Sequence, residues 1–205
     1  MKPLLLLDLD GTLFKTYDFW QDFCFALSDA TGKNPKEFKH SYEHYSLGSG
    51  KTLYIDFNTL MEDTNIERQK ILDALKNISR NKSYLFDDAK ILLKALPQLQ
   101  DRFDVAILTF GQTFFQQLKL DYTPEIKQYP AYITDQLKTE YIKENFANRP
   151  SGVLVDDKPD QNLPNSWTEI NVDRRASNHL QPEEINDGIF RITQLDDAIA
   201  LLHKI

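Results

Sequence analysis

Leu4-Leu5-Leu6-Leu7-Asp8-Leu9-Asp10-Gly11-Thr12-Leu13 is the stretch on which the reading of the whole chain turns. Four consecutive leucines are too few to cross a bilayer but suit a strand buried on both faces of a parallel sheet. The run stops abruptly in two carboxylates, a glycine and a hydroxyl. In open α/β sheets ligands gather beyond the carboxyl ends of strands, where Asp8 and Asp10 are expected to project while Gly11 turns the chain away. Carboxylates crowded at such a place repel one another unless a cation, a shared proton or a cationic side chain compensates. Hard oxygen ligands select Mg²⁺. An Asp held beside that ion can attack phosphorus, and a second Asp close by can give and recover a proton. The alternative is an ordinary Asp-rich turn after a strand.

Composition bounds the answer. With 205 residues and 41% hydrophobic content, the chain can build one substantial core, with or without a small accessory unit. A net charge of −7 disfavours a general binder of nucleic acid or anionic membranes, because a broad negative field repels phosphate backbones. A small phosphorylated substrate remains compatible through a local pocket. Cys24 is the single cysteine, so no intrachain disulfide forms and a reducing compartment is the natural setting. The short leucine run lacks the length and cleavage site of a signal peptide, and no later stretch approaches the roughly 20 apolar residues of a membrane span. A cytoplasmic location is expected.

After Leu13 the pattern becomes helical and rich in aromatics as far as about Arg80. Phe19, Trp20, Phe23 and Leu27 recur near helical spacing, and Thr31-Gly32-Lys33-Asn34-Pro35 supplies a stop and a fresh start. Further helices are expected over Pro35 to Tyr45, Leu53 to Met61 and Ile66 to Ile78. This block, residues 15–81, reads as a small helical bundle and a candidate lid over an α/β core formed by residues 1–14 and 82–205. In the core, a helix is expected from Asp87 or Asp88 to Leu96, ended by Pro97, and then a strand over Phe103 to Leu108. A helix from Gln112 to Leu120 follows, then an edge strand over Tyr129 to Ile133, a helix from Leu137 to Phe146, and strands Gly152 to Val155 and Trp167 to Val172. The tail gives a strand over Ile189 to Ile192 and a helix over Leu195 to Leu202. The alternation predicts a Rossmann-like, doubly wound parallel sheet.

Three apolar strands thus end in Asp8/Asp10, Thr109 and Asp156/Asp157, and parallel strands of one sheet present those ends to one rim. Thr109 alone would read as a satisfied strand-end hydroxyl. With Phe110 and Gly111 leading into a helix, its hydroxyl and the nearby amides suggest an anion cradle. Lys138, at the start of the helix before the fourth core strand, is better placed than Lys127 or Lys143 to offset the charge of a nucleophile and an incoming phosphate. Asp156 and Asp157 repeat the logic of the first pair.

Asp8-Leu9-Asp10-Gly11-Thr12-Leu13 resembles the first motif of the haloacid dehalogenase (HAD) superfamily of phosphohydrolases. Thr109, Lys138 and Asp156-Asp157 resemble its second, third and fourth motifs in the family's order, so the likeness covers essentially the whole chain. The resemblance implies that Asp8 is the nucleophile and Asp10 the general acid and base. It further implies that Thr109, Phe110, Gly111 and Lys138 hold the phosphoryl group. Mg²⁺ would be held by Asp8, by the main-chain carbonyl of Asp10 and by Asp157, with Asp156 beside it and the order within that pair open. The helical block resembles the family's cap, which closes over the site and shapes substrate choice. The implied activity is Mg²⁺-dependent hydrolysis of a small phosphorylated metabolite through an aspartyl-phosphate.

Other signals weigh less. Gly48-Ser49-Gly50-Lys51-Thr52 would need a glycine where Tyr45 stands to be a nucleotide-binding loop, and no apolar strand leads into it. His40 and His44 have a spacing that can hold zinc but lack a third ligand. A phosphomutase shares all four motifs and differs in shielding the phosphoenzyme from water. A dehalogenase is disfavoured because its pattern lacks the acid corresponding to Asp10. A binding protein that keeps the fold without catalysis would be expected to have lost one of the acids.

Overall fold

The computed structural model of the chain describes residues 1–38, 46–47, 54–158, 162–176 and 179–205, with backbone alone at 46–47 and 54–55. The four leucines form β1, Leu4–Leu7, buried throughout. It lies between β4, Asp104–Phe110, and β6, Gly152–Asp156, parallel to both. Beyond β4 comes the edge strand β5, Ala131–Thr134. Beyond β6 come β7, Trp167–Val172, and β9, Ile189–Ile192, each parallel to its neighbour, and then β8, Glu183–Asn186, antiparallel to β9. The order is therefore β5-β4-β1-β6-β7-β9-β8. From β1 the chain lays β4 and β5 outward to one side and then β6 and β7 outward to the other, where β9 returns to pair with β7 and leaves β8 at the edge. The fold class is the expected α/β, Rossmann-like one, and the ends of β1, β4 and β6 meet where the winding reverses.

Side chains alternate across the sheet and so sort into two layers. Leu5 and Leu7 join the larger apolar cluster, whereas Leu4 and Leu6 join a second one with Leu108, Leu154, Trp167 and Ile142. The latter residue lies on the helix Lys138–Asn145. Each leucine so buried contributes about 2 kcal/mol relative to exposure. The larger cluster runs without a break from the sheet through the helices Asp87–Leu99, Thr113–Asp121 and Asp197–Leu202 into the aromatic segment behind β1.

That segment contains α1, Thr16–Thr31, a two-residue antiparallel pair of β2, Ser46–Leu47, and β3, Tyr54–Ile55, and then α2, Phe57–Thr64, and α3, Arg68–Ser79. Gly32, at φ +71° in the left-handed region, ends α1 as its sequence suggests. Phe19 and Phe23 of α1 pack edge-on against Phe14, Tyr84 and Phe115, so the helical segment shares the core of the sheet. Further helices among the described residues include α4, Asp87–Leu99, α5, Thr113–Asp121, α6, Lys138–Asn145, and α7, Asp197–Leu202.

Three local expectations are corrected. Residues Tyr54–Ile55 are extended where a helix was expected, because Asp56 caps the helix that follows, its carboxylate accepting from the Thr59 N–H at 3.3 Å. Pro97 lies inside α4, which continues to Leu99 and gives up only the one bond that the missing proline N–H would have made to the carbonyl four residues earlier. The strand β8 has no apolar alternation to announce it, Glu183 and Glu184 being exposed. His40, His44 and the Gly48–Thr52 segment lie outside the described residues.

Candidate active site

The Asp8 N–H donates to Val155 O at 2.9 Å, so the sheet ladder carries Asp8 and Asp156 to adjacent strand ends. Both side chains are buried. Lys138, the first residue of α6, reaches between them: its ammonium donates to Asp8 Oδ1 at 2.5 Å and to Asp156 Oδ2 at 2.6 Å. Thr12 ties the two strand tips together, donating to Asp8 Oδ2 at 3.0 Å and accepting from the Asp157 N–H at 2.8 Å. Carboxylate oxygens of Asp8, Asp156 and Asp157 lie within 4.8 Å of one another.

This donor set fits a hard divalent cation. Asp156 is already engaged, by Lys138 at Oδ2 and by the Lys158 N–H at Oδ1, 2.8 Å away. In contrast, Asp157 Oδ1 is buried without a hydrogen-bond partner. A buried carboxylate oxygen left that way is costly unless something positive reaches it. Asp8 and Asp157 could hold Mg²⁺, with Asp156 fixed by Lys138 beside them.

Burial pushes the Asp8 carboxyl up to about 8; Lys138 opposes the rise, while Asp156, Asp157 and Asp10 add to it. Burial likewise raises Asp157 to about 6, helped by Asp156. Burial works against the charge of Lys138, but Asp156 and Asp8 outweigh it and keep the ammonium charged well above the ordinary lysine range. The site is a nest of excess negative charge that one lysine does not neutralise.

The loop after β1 is held from outside. Gly11 sits at φ +78°, and a Cβ there would stand 2.6 Å from Asp157 Oδ2, so both the turn and the approach of the second acid require glycine. Arg174, which the sequence does not single out, donates from Nε to Gly11 O at 3.2 Å and from Nη2 to Thr12 O at 2.6 Å. Its third arm pairs with Asp88, and its guanidinium lies over the Phe86 ring.

Asp10 does not join the three-carboxylate cluster with its side chain. It faces α5, where Lys119 donates to Oδ1 at 2.7 Å and Oδ2 at 2.8 Å, and Gln116 Nε2 donates to Oδ2 at 2.9 Å. Thr16 donates to Oδ1 at 2.6 Å. Burial would raise its carboxyl, but the charge and hydrogen bonds of Lys119, with those of Thr16 and Gln116, bring it below the usual range. Sequence reading missed Gln116 and Lys119.

Thr109 is fully buried, with its hydroxyl donating to Gln116 Oε1 at 3.2 Å, and the Gly111 N–H donates to Thr134 O at 2.9 Å. Both donors are thus paired within the fold, the Thr109 hydroxyl on α5 and the Gly111 amide on the edge strand. Phe110 supplies its carbonyl to Gln116 Nε2 at 2.7 Å. Gln112, at the start of α5, spans to the helical segment, accepting from the Phe57 N–H at 2.8 Å and donating to Asp56 Oδ1 at 2.9 Å.

Comparison with known proteins adds the fold. No family model matches the sequence, and no curated protein matches it either. Solved structures do match. A protein of Burkholderia xenovorans assigned as a haloacid dehalogenase-like hydrolase is similar over 100% of this chain and 98% of its own, with 17% identity and a TM-score of 0.65. The Bacillus subtilis HAD-hydrolase YfnB, solved bound to magnesium, is similar over 98% of both chains, with 16% identity and a TM-score of 0.55. A Thermotoga maritima protein assigned as a β-phosphoglucomutase is similar over 99% of both, with 11% identity and a TM-score of 0.57. From end to end, the chain therefore has the fold of haloacid dehalogenase-like hydrolases.

Proposed function

We propose that this protein is a Mg²⁺-dependent phosphohydrolase of the haloacid dehalogenase superfamily, acting on a small phosphorylated metabolite through an aspartyl-phosphate at Asp8. The observation that carries the reading is the convergence of Asp8, Asp156 and Asp157 on Lys138, with Asp157 Oδ1 left unpartnered. Similarity of fold to HAD-like hydrolases, one of them bound to magnesium, supports it. Asp8 attacks phosphorus in line as the bond to the leaving oxygen breaks, and Asp10 supplies the proton which that oxygen takes up. Asp10 then receives a proton from the water that cleaves the aspartyl-phosphate, freeing phosphate and restoring Asp8. Lys138 stays beside Asp8 and Asp156 and limits the charge that builds up there. Mg²⁺, when bound, would neutralise the phosphoryl oxygens. Residues 15–81 serve as the cap and residues 1–14 and 82–205 as the catalytic core.

Phosphate release from a generic phosphomonoester tests this reading. It is expected only with Mg²⁺ and is abolished by Asp8→Asn; turnover that survives the substitution would sink the nucleophile role. Isomerisation of a sugar phosphate without release of phosphate would assign the same site to a phosphomutase.

A further inference from the structure

We infer that Lys119 and Gln116 are positioning residues that act through Asp10, holding its carboxylate for proton transfer and tying it to the end of β4. The inference rests on the phosphohydrolase reading above and adds to it two residues from outside the four motifs.

Lys119 is 3% exposed, and its ammonium lies over the Phe115 ring, 4.7 Å from the centroid. A lysine is rarely buried unless it is paired, and the paired group here is Asp10, bonded through both oxygens. Gln116, also buried, is spent entirely in this neighbourhood. Its amide nitrogen donates to Asp10 Oδ2 and to Phe110 O, and its oxygen accepts from Thr109 and, at 3.4 Å, from Lys119. The fit is tight, since a Cβ on Gly111 would stand 2.6 Å from Gln116 Nε2. Packing of such closeness fixes the amide and, through it, the carboxylate.

The arrangement favours the charged form of Asp10 while holding the carboxylate in one orientation from which a proton can be taken up and passed on. Three of the hydrogen bonds to Asp10 come from the nitrogens of Lys119 and Gln116, which toward it only donate, the Gln116 oxygen being turned to Thr109 and Lys119. Thr16 differs: its hydroxyl donates to Asp10 Oδ1 at 2.6 Å and also lies 3.4 Å from Phe14 O. By rotating toward Phe14 it can accept a proton borne on Oδ1. When that proton passes to the leaving oxygen, the electron pair of the breaking P–O bond takes it up. The carboxylate left behind is met at once by the Lys119 ammonium.

The test uses a series of aryl phosphates of graded leaving-group acidity with Mg²⁺, reading kcat/KM for release of the phenol, which reports formation of the phosphoenzyme. Lys119→Met and Asp10→Asn should each steepen the dependence on leaving-group acidity, with about a 10- to 100-fold loss on the poorest leaving group and little on the best. The double variant should be no worse than Asp10→Asn. An unchanged slope, or losses that multiply in the double variant, would overturn the inference, since a merely structural role slows every ester alike. Gln116→Met, which keeps the ion pair, provides the same reading should Lys119→Met fail to fold. If the wild-type protein releases no phosphate at all, the parent reading fails instead. The crystal structure of the Lys119→Met variant then decides: an Asp10 side chain swung away supports the positioning role, and one unmoved contradicts it.

Discussion

Lys138 donates to Asp8 at 2.5 Å across 130 residues of sequence, joining the first turn of α6 to the tip of β1. The same ammonium holds Asp156, so its removal leaves two buried carboxylates without their shared cation. Lys138→Met is expected to lower Mg²⁺-dependent phosphate release about 100-fold or more, the scale seen when a donor to a developing charge is lost. Loss below about threefold in steady-state assays would show that the lysine is not part of the reacting geometry.

On the proposed reading, protons and Mg²⁺ would compete for the same oxygens. Asp8 is raised to about 8 and Asp157 to about 6 in the metal-free site, so binding of Mg²⁺ must expel protons and should strengthen from pH 6 to pH 8. Calorimetric titration in buffers of different ionisation enthalpy measures that release directly. The same shifts fix the sign for stability. For these two groups, the stabilisation is full below the unfolded value of 3.8 and is lost as pH rises through about 6 for Asp157 and about 8 for Asp8. Asp10, lowered by Lys119, acts oppositely, its contribution vanishing as pH falls through its depressed value. The metal-free protein should therefore melt at a lower temperature at pH 8 than at pH 6, and Mg²⁺ should restore most of the difference at pH 8. A melting temperature indifferent to Mg²⁺ at pH 8 would contradict this.

Gly11→Ala meets two penalties. The left-handed backbone at φ +78° costs about 1–2 kcal/mol for a residue with a Cβ, and that Cβ also displaces Asp157. The variant should fold, melt lower, and bind Mg²⁺ roughly 10-fold or more weakly. Unchanged affinity would show that Asp157 does not set metal binding.

Gln112 joins the start of α5 to the start of α2 through two hydrogen bonds, with the Arg68 guanidinium stacked 3.9 Å from the Phe114 ring beside them. Gln112→Ala removes the polar half of this clasp, worth about 1–2 kcal/mol in all. Hydrogen exchange over residues 57–64 should accelerate several-fold while exchange in β1 stays slow. Equal protection in the variant would mean that the helical segment is held by its aromatic contacts alone.

How far the sequence could be read depended on what kind of signal each residue leaves. Strands β1, β4 and β6 announce themselves because burial on both faces demands unbroken apolar runs, and the acids at their ends stand out against that background. Lys138 was legible through its place at a helix start. Lys119 and Gln116 were not, because a lysine and a glutamine three positions apart on a helix ordinarily read as a solvated face. Only their interleaving with Phe115, Leu118 and Leu120, all buried, marks that face as internal. Arg174 lies in a loop after β7, where no periodicity applies, and reaches the β1 turn only through the fold. Thr109 was legible as a strand-end hydroxyl, but its partner Gln116 depends on how α5 packs. The charged edge strand β8 is formed by pairing with β9 and carries no pattern of its own.

The central claim is that phosphorus passes through the carboxylate of Asp8. Borohydride reduction of the protein during turnover, followed by peptide mass spectrometry, tests it most directly, since an acyl phosphate is reduced to an alcohol. Homoserine at position 8, appearing only with Mg²⁺ and substrate together, is the predicted result. An unreduced Asp8 during active turnover, or reduction at another acid, would contradict the account.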